Sequence, residues 1–326
     1  MSPRKWLPLL VLPAFLVVAC SGDKSNPVTP TTPTTPTTPT TPTPAPVPSQ
    51  TVYLVGAGDI AYCDPSADGG AHAEATAKLI DAMPEAMVFT AGDNAYFDGL
   101  PVEFSNCYGP RWGRFKNRTR PSPGNHDYGE NVKTNAIPYF DYFGGSAGDR
   151  GAGFYSYTLG NWHIVSLNSN IDVSASSEQL RWLENDLAAN STSATAKCTL
   201  AYWHHALFTS GPSAGTNALM RNAWTVLYKY GVDVVVNGHD HLYERFRPQD
   251  PNGLASASTG IAEYIVGTGG TAPLYQFGPP LPNSVTRMNS SWGVLYFTLR
   301  DVGYDSWFVE AGTGAHLDVS IGNLCH

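Results

Sequence analysis

The run Ala86-Met87-Val88-Phe89-Thr90-Ala91-Gly92-Asp93-Asn94-Ala95-Tyr96 sets an apolar stretch directly against a polar one. Its apolar start, Ala86 to Phe89, reads as a short buried strand. Gly92 ends the strand, and Asp93 leaves it at the carboxyl end, the edge where open α/β sheets place ligands. An Asx-type turn is the simple reading of Gly92-Asp93-Asn94-Ala95-Tyr96 alone. A desolvated carboxylate there is costly, however, unless something positive meets it. Four other stretches end strands in the same way: Gly58-Asp59, Gly124-Asn125-His126-Asp127, His204-His205 and Gly238-His239-Asp240-His241. Metal ions bridged by Asp93 would account for all five together.

Outward from this frame, Arg4 and Lys5 precede an apolar run from Trp6 to Ala19, interrupted by Pro8 and Pro13. The run is shorter than the ~20 residues a spanning helix needs, so residues 1–19 read as a signal peptide. Val17-Val18-Ala19-Cys20 resembles a bacterial lipobox, which implies a lipidated Cys20 and an extracytoplasmic protein, anchored to the cell envelope or released. Residues 20–49 form a Thr/Pro-rich stalk, with Thr-Thr-Pro repeated four times between Thr31 and Pro42. Such a tract cannot bury apolar surface and favours extended polyproline II.

Residues 50–326 are what folds, as one large domain. Strands are expected at 52–55, 86–89, 162–167, 198–203, 232–236, 261–266, 292–299 and 302–309, and helices at 71–82, 176–189 and 217–229. Ser176 and Gln179 have capping-box spacing, and Leu180, Leu183 and Leu187 form one apolar stripe. Pro101 to Gly124 reads as loop. Strands alternate with helices first and dominate later, which predicts an α/β fold of two packed sheets flanked by helices. The net charge of −8 argues against nucleic acid or an anionic membrane surface as partner. Membrane contact is expected only through Cys20, and the oligomeric state is left open. Five Cys are present. Apart from Cys20 they form an even set, Cys63, Cys107, Cys198 and Cys325, suited to disulfides in an oxidising compartment, with three possible connectivities.

The polar residues at the strand ends are Asp59, Asp93, Asn125, His126, His204, His239 and His241. If the chain there is extended, His239 and His241 face one side and Asp240 the other. In order, these motifs resemble the five signatures of calcineurin-like metallophosphoesterases, over residues 58–241. Most of that superfamily has Asp-x-His first, and here Ala61 takes the place of the His. Tyr96, three residues after Asp93, has the spacing of the purple acid phosphatases, which the phrase Gly238 to Arg245 also resembles.

The resemblance implies a four-layer αββα sandwich of two mixed sheets. It also implies one metal held by Asp59, Asp93, Tyr96 and His241, and a second by Asp93, Asn125, His204 and His239. Fe(III) is expected in the first site, with Fe(II), Zn or Mn in the second. The implied activity is hydrolysis of phosphate monoesters of small molecules by hydroxide held on the metals, with His126 as general acid. A phosphodiesterase of the same fold and a non-catalytic surface lipoprotein stay open as alternatives. Ala206 departs from the family's His-x-Pro, and Phe208-Thr209-Ser210-Gly211 supplies no further pocket histidine. Substrate contacts are therefore sought at His205, Asn168, Tyr108 and Arg111. With Cys63 and Cys107 on loops after the first two metal-bearing strands, and Cys325 able to tie the C-terminus beside Cys198, the expected pairs are Cys63–Cys107 and Cys198–Cys325.

Overall fold

Strands β1 (Val52–Ala57), β2 (Met87–Ala91) and β3 (Thr119–Ser122) lie parallel, side by side. β11 (Gly293–Arg300) pairs antiparallel with the free side of β1, and β12 (Gly303–Glu310) and β13 (His316–Leu324) follow. The sheet order is β13-β12-β11-β1-β2-β3. The second sheet is built on β5 (Trp162–Ser166), β6 (Cys198–His205), β7 (Val234–Gly238) and β9 (Ala262–Val266), all parallel. Antiparallel strands β4 (Tyr155–Leu159), β8 (Tyr243–Phe246) and β10 (Ser284–Met288) complete the order β10-β8-β9-β7-β6-β5-β4. This computed structural model describes residues 50–66, 68–191 and 198–326. The readings of residues 1–49 as signal peptide, lipidated Cys20 and stalk lie outside the described residues.

Period-two alternation decides which side chains fill which layer. Tyr202, Val234 and Val236 point into the core between the sheets, with Leu54, Phe89 and Phe297. Their neighbours Trp203 and Val235 point the other way, onto Leu180, Leu183 and Leu187 of helix Glu178–Ser191 and Trp224 of helix Met220–Lys229. On the opposite flank, helix Ala71–Asp81 packs against β11 through its buried face of Ala73, Ala77 and Ile80. The fold is thus the expected αββα sandwich of two mixed sheets.

Five strands escape the sequence reading, and four of them, β3, β4, β10 and β13, are the edges of the two sheets. Edge strands are half exposed, so they carry no continuous apolar run. β3 even contains Pro121, whose missing N–H is tolerated at an edge. The helix start also differs. The cap is Ser177, whose Oγ accepts from Leu180 N at 3.2 Å, and Gln179 is instead buried, with its amide bridging the backbone N and O of Asn168. Both disulfides pair as expected, Cys63 with Cys107 and Cys198 with Cys325.

Candidate metal centre

The ends of β1, β2, β3, β6 and β7 deliver the polar residues to one place. Asp59 N donates to Gly92 O at 3.0 Å and Ile60 N to Asp93 O at 2.9 Å, so the first two motifs lock together through backbone. His239 N donates to Asp59 Oδ2 at 2.9 Å, which ties the second sheet to the first. Asp59, Asp93 and His239 all have left-handed backbones, with φ of 61°, 51° and 70°. Such conformations are uncommon outside glycine and gather where the surroundings enforce them. The flanking glycines have a steric reason. A Cβ on Gly92 would lie 2.4 Å from His204 Nδ1, and one on Gly124 would lie 2.0 Å from Asp93 Oδ1.

Two clusters of ligand atoms share Asp93 Oδ2. In the first, Tyr96 Oη lies 2.9 Å from Asp59 Oδ1, 2.9 Å from Asp93 Oδ2 and 3.3 Å from His241 Nε2. In the second, His204 Nε2 lies 3.2 Å from Asp93 Oδ2, 3.0 Å from Asn125 Oδ1 and 3.2 Å from His239 Nδ1. Backbone carbonyls fix two of the rings. His204 Nδ1 donates to Ala91 O at 2.8 Å, and His241 Nδ1 to Pro273 O at 3.1 Å. In the neutral rings, Nε2 of each therefore presents a lone pair to carboxylate or amide oxygens that are themselves acceptors. Acceptors converging at hydrogen-bond distance with too few protons between them are a donor set for cations, and the chemistry of the set fits metal ions.

Without cations the cluster redistributes protons. Burial opposes charge on Asp93, yet His204, His126 and His239 hold its carboxyl far below the usual range. Burial likewise opposes charge on His204, but Asp93 and Asp59 outweigh it and lift the imidazole to about 9. Burial, then Asp59 and Asp93, push the Tyr96 phenol well above its ordinary value. Its proton stands where a cation would replace it.

His126 sits at the rim. Its Nδ1 donates to Phe97 O at 2.7 Å, and its Nε2 lies 3.8 Å from Asp93 Oδ2. With His239, His241, Ser213, Thr216 and Tyr275 it lines a cavity of about 310 Å³ over the cluster. Tyr275 stacks on His241 with ring centres 4.1 Å apart. Nothing in its own stretch of sequence marks it. Asp127, in the Gly124 to Asp127 motif, has a structural role that the sequence reading leaves unassigned. It accepts from Gly124 N at 2.8 Å and Asn94 Nδ2 at 2.9 Å, while burial and Asp93 raise its carboxyl to about 7. Its position three residues after Gly124 is a helix-start spacing that signals this clamp.

The structure corrects several expectations. His239 and His241 do not lie on one face of an extended segment. The left-handed His239 turns the chain, so one ring reaches Asn125 and His204 while the other reaches Asp59 and Tyr96. Asp240 is buried behind them, accepting from Thr209 Oγ1 at 2.6 Å and Ser213 Oγ at 3.0 Å. Of the substrate-contact candidates, only His205 adjoins the centre, its ring 4.4 Å from His239 and its Nδ1 2.8 Å from Ser169 Oγ. Tyr108 is fully buried among Phe104, Tyr142 and Phe143. The Arg111 guanidinium is spent on the carbonyls of Gly69, Gly70 and Cys107. Asn168 is buried and holds a loop, donating to Tyr128 Oη at 2.9 Å and Ala152 O at 2.8 Å.

The profile of the calcineurin-like phosphoesterase family matches residues 54–243. Purple acid phosphatase 15 of Arabidopsis thaliana is 36% identical over 164 residues, 46% of this chain and 30% of its own length. Acid phosphatase type 7 of Mus musculus is 25% identical over 222 residues, 60% of this chain and 48% of its own length. The chain thus spans less than half the length of these curated relatives. Among solved structures, the purple acid phosphatase PPD1 from yellow lupin (Lupinus luteus) seeds superposes with a TM-score of 0.68 at 19% identity, over 83% of this chain and 53% of that one. GAP50, the anchor in the inner membrane complex of Plasmodium, gives 0.64 at 14% identity, over 85% and 90%. At these identities the two superpositions speak to the fold.

Proposed function

The chain belongs to the calcineurin-like phosphoesterase family, and from that premise we propose that it is a phosphatase of purple acid phosphatase type, hydrolysing phosphate monoesters. The observation that carries the reading is the pair of ligand clusters joined at Asp93 Oδ2. Asp59, Asp93, Tyr96 and His241 would hold one cation, and Asp93, Asn125, His204 and His239 the other. Two cations bound there supply charge that neutralises a phosphate ester and acidifies a water molecule toward neutral pH. Tyr96 adds a hard anionic oxygen to the first set once its proton is gone. The added negative charge favours the more highly charged ion there, Fe(III), with Fe(II), Zn or Mn in the second set.

His126 takes the leaving-group side. Because its Nδ1 is committed to Phe97 O, Nε2 is the atom that holds the transferable proton at the cavity rim. It gives that proton to the oxygen of the departing alcohol. His204 and His241, pinned by Ala91 O and Pro273 O, keep their lone pairs aimed and need no reorganisation. Two disulfides suit an oxidising compartment, consistent with an extracytoplasmic enzyme tethered through Cys20.

The test is an assay of metal-replete protein on phenyl phosphate beside diphenyl phosphate, with metal analysis of the same sample. Faster turnover of the monoester, with iron bound, is expected. A preference for the diester would make the protein a diesterase of the same fold. Absence of any hydrolysis with metals bound would leave a binding protein.

A further inference from the structure

A second groove, of about 520 Å³, is walled by Tyr96 and Phe97 together with Tyr62, Val102, Asp64 and Glu103. His126 connects it to the metal centre. The imidazole lines the metal cavity, and it also packs on Tyr96 at 4.3 Å and edge-on to Phe97 at 4.6 Å between ring centres. The groove wall is aromatic, with Tyr62 6.1 Å from the Tyr96 ring and 6.2 Å from the Phe97 ring. Phe97 is 40% exposed and Val102 is 53% exposed, so apolar surface stands open beside a highly polar site. The only charges on the wall, among the described residues, are the carboxylates of Asp64 and Glu103. Among the described residues, no Lys or Arg lines either this groove or the metal cavity.

The groove is also held in shape. Glu103 accepts from the backbone N–H of Phe97, from Asp98 N at 3.1 Å and from Leu100 N at 2.7 Å, which clamps the loop that presents Phe97. The Cys63–Cys107 disulfide joins the two chain segments on either side. A wall fixed in advance loses little freedom when a flat ring settles on it.

We infer that this groove is the leaving-group subsite, and that it selects monoesters of aromatic alcohols carrying no further negative charge. The inference rests on the phosphatase reading above. His126 Nε2 faces the metal cavity and its ring packs on Tyr96 and Phe97, so a leaving group that extends past this ring reaches the groove the two residues wall. The exposed Phe97 ring and that of Tyr62 suit an aromatic ring. A second anionic group would meet Asp64 and Glu103 with no cation to offset them, a repulsion that discriminates as effectively as a favourable contact.

The experiment compares 2-naphthyl phosphate with phenyl phosphate, whose leaving groups are similar in acidity, so the ratio of kcat/KM reports contact rather than chemistry. Wild type is expected to favour the naphthyl ester about tenfold, the worth of one good aromatic contact. Phe97→Ala and Tyr62→Ala should each collapse that ratio. Val102→Lys, at an exposed position, should raise turnover of 4-carboxyphenyl phosphate relative to phenyl phosphate, a gain that misfolding cannot produce. Hydrolysis of phenyl phosphate with no naphthyl preference, or with a preference kept in Phe97→Ala, would overturn the subsite while the phosphatase reading stood. If no ester is hydrolysed, calorimetry with 2-naphthylmethylphosphonate decides. Binding that depends on Phe97 would leave an aryl-binding groove and overturn its leaving-group role together with the phosphatase reading, and binding indifferent to Phe97, or none, would remove the groove as well.

Discussion

Asp93 is where the backbone and the chemistry are hardest to separate. Its φ of 51° turns the chain out of β2, and its Oδ2 belongs to both ligand clusters. Asp93→Ala is therefore expected to lose metals and activity together, and metal analysis that still finds two ions per chain would exclude the bridge. His126→Ala should behave differently. Metals should stay while turnover falls by ~10²–10⁴, as for lost general acid catalysis, with a smaller loss for esters of very acidic alcohols. Equal losses for good and poor leaving groups would remove the assignment. Tyr96 yields a spectroscopic test. Phenolate on Fe(III) absorbs visible light, so wild type should be coloured and Tyr96→Phe bleached. A band that persists in the variant would show that the phenol is not a ligand. At this scale the sequence was informative because the candidate ligands lie at or just past strand ends and, at Asp59, Asp93, Asn125 and His239, directly after a glycine. The groups that orient the ligands were not legible. Pro273 O and Tyr275 come from a loop remote in the chain and follow no local pattern.

Elements buried on both faces announce themselves, as Val234-Val235-Val236 does in β7, while edges do not. β13 is such an edge, and its apolar residues Leu317, Val319 and Ile321 are exposed. What β13 contributes is a cross-sheet pair. Asp318 accepts from Arg245 Nε at 2.6 Å and Nη2 at 2.8 Å, and from Tyr243 Oη at 2.8 Å, both partners lying on β8 of the other sheet. Burial opposes ionisation of Asp318, but these bonds outweigh it and hold the carboxyl below its ordinary range. A depressed folded value gives stability that is full above the unfolded value and lost as pH falls through the folded one. Asp318→Ala should accordingly cost about 2–4 kcal/mol at neutral pH, since it leaves Arg245 half-buried and unpaired. Denaturant unfolding should show the gap between wild type and variant narrowing as pH drops below about 4. A gap of constant size would place the loss in packing instead of charge.

Across the whole molecule, the candidate site exists because two sheets present the ends of five strands to one another, and the two disulfides bear on that arrangement differently. Cys198 opens β6 in the second sheet, and Cys325 follows β13 on the edge of the first, 127 residues later. Cys63 and Cys107 close only 44 residues, beside Tyr96 and Phe97. Their pairing could be anticipated because the strands that place them were legible; the groove they border could not, because it arises from loops. In the chain-entropy account, a cross-link stabilises more the longer the loop it closes, reaching ~4–5 kcal/mol for loops of about a hundred residues. Replacing both Cys198 and Cys325 by Ser is thus expected to lower the unfolding free energy by more than replacing Cys63 and Cys107, while the ratio of naphthyl to phenyl phosphate turnover stays as in wild type. The Cys63/Cys107 double variant should show the reverse pattern, a smaller stability loss but a reduced ratio, because the two walls of the groove are no longer joined. Denaturant titration and the paired-substrate assay on the same two proteins separate these effects. If the Cys63/Cys107 variant keeps the wild-type ratio, the disulfide does not shape the groove, and the Glu103 clamp alone holds Phe97 in place.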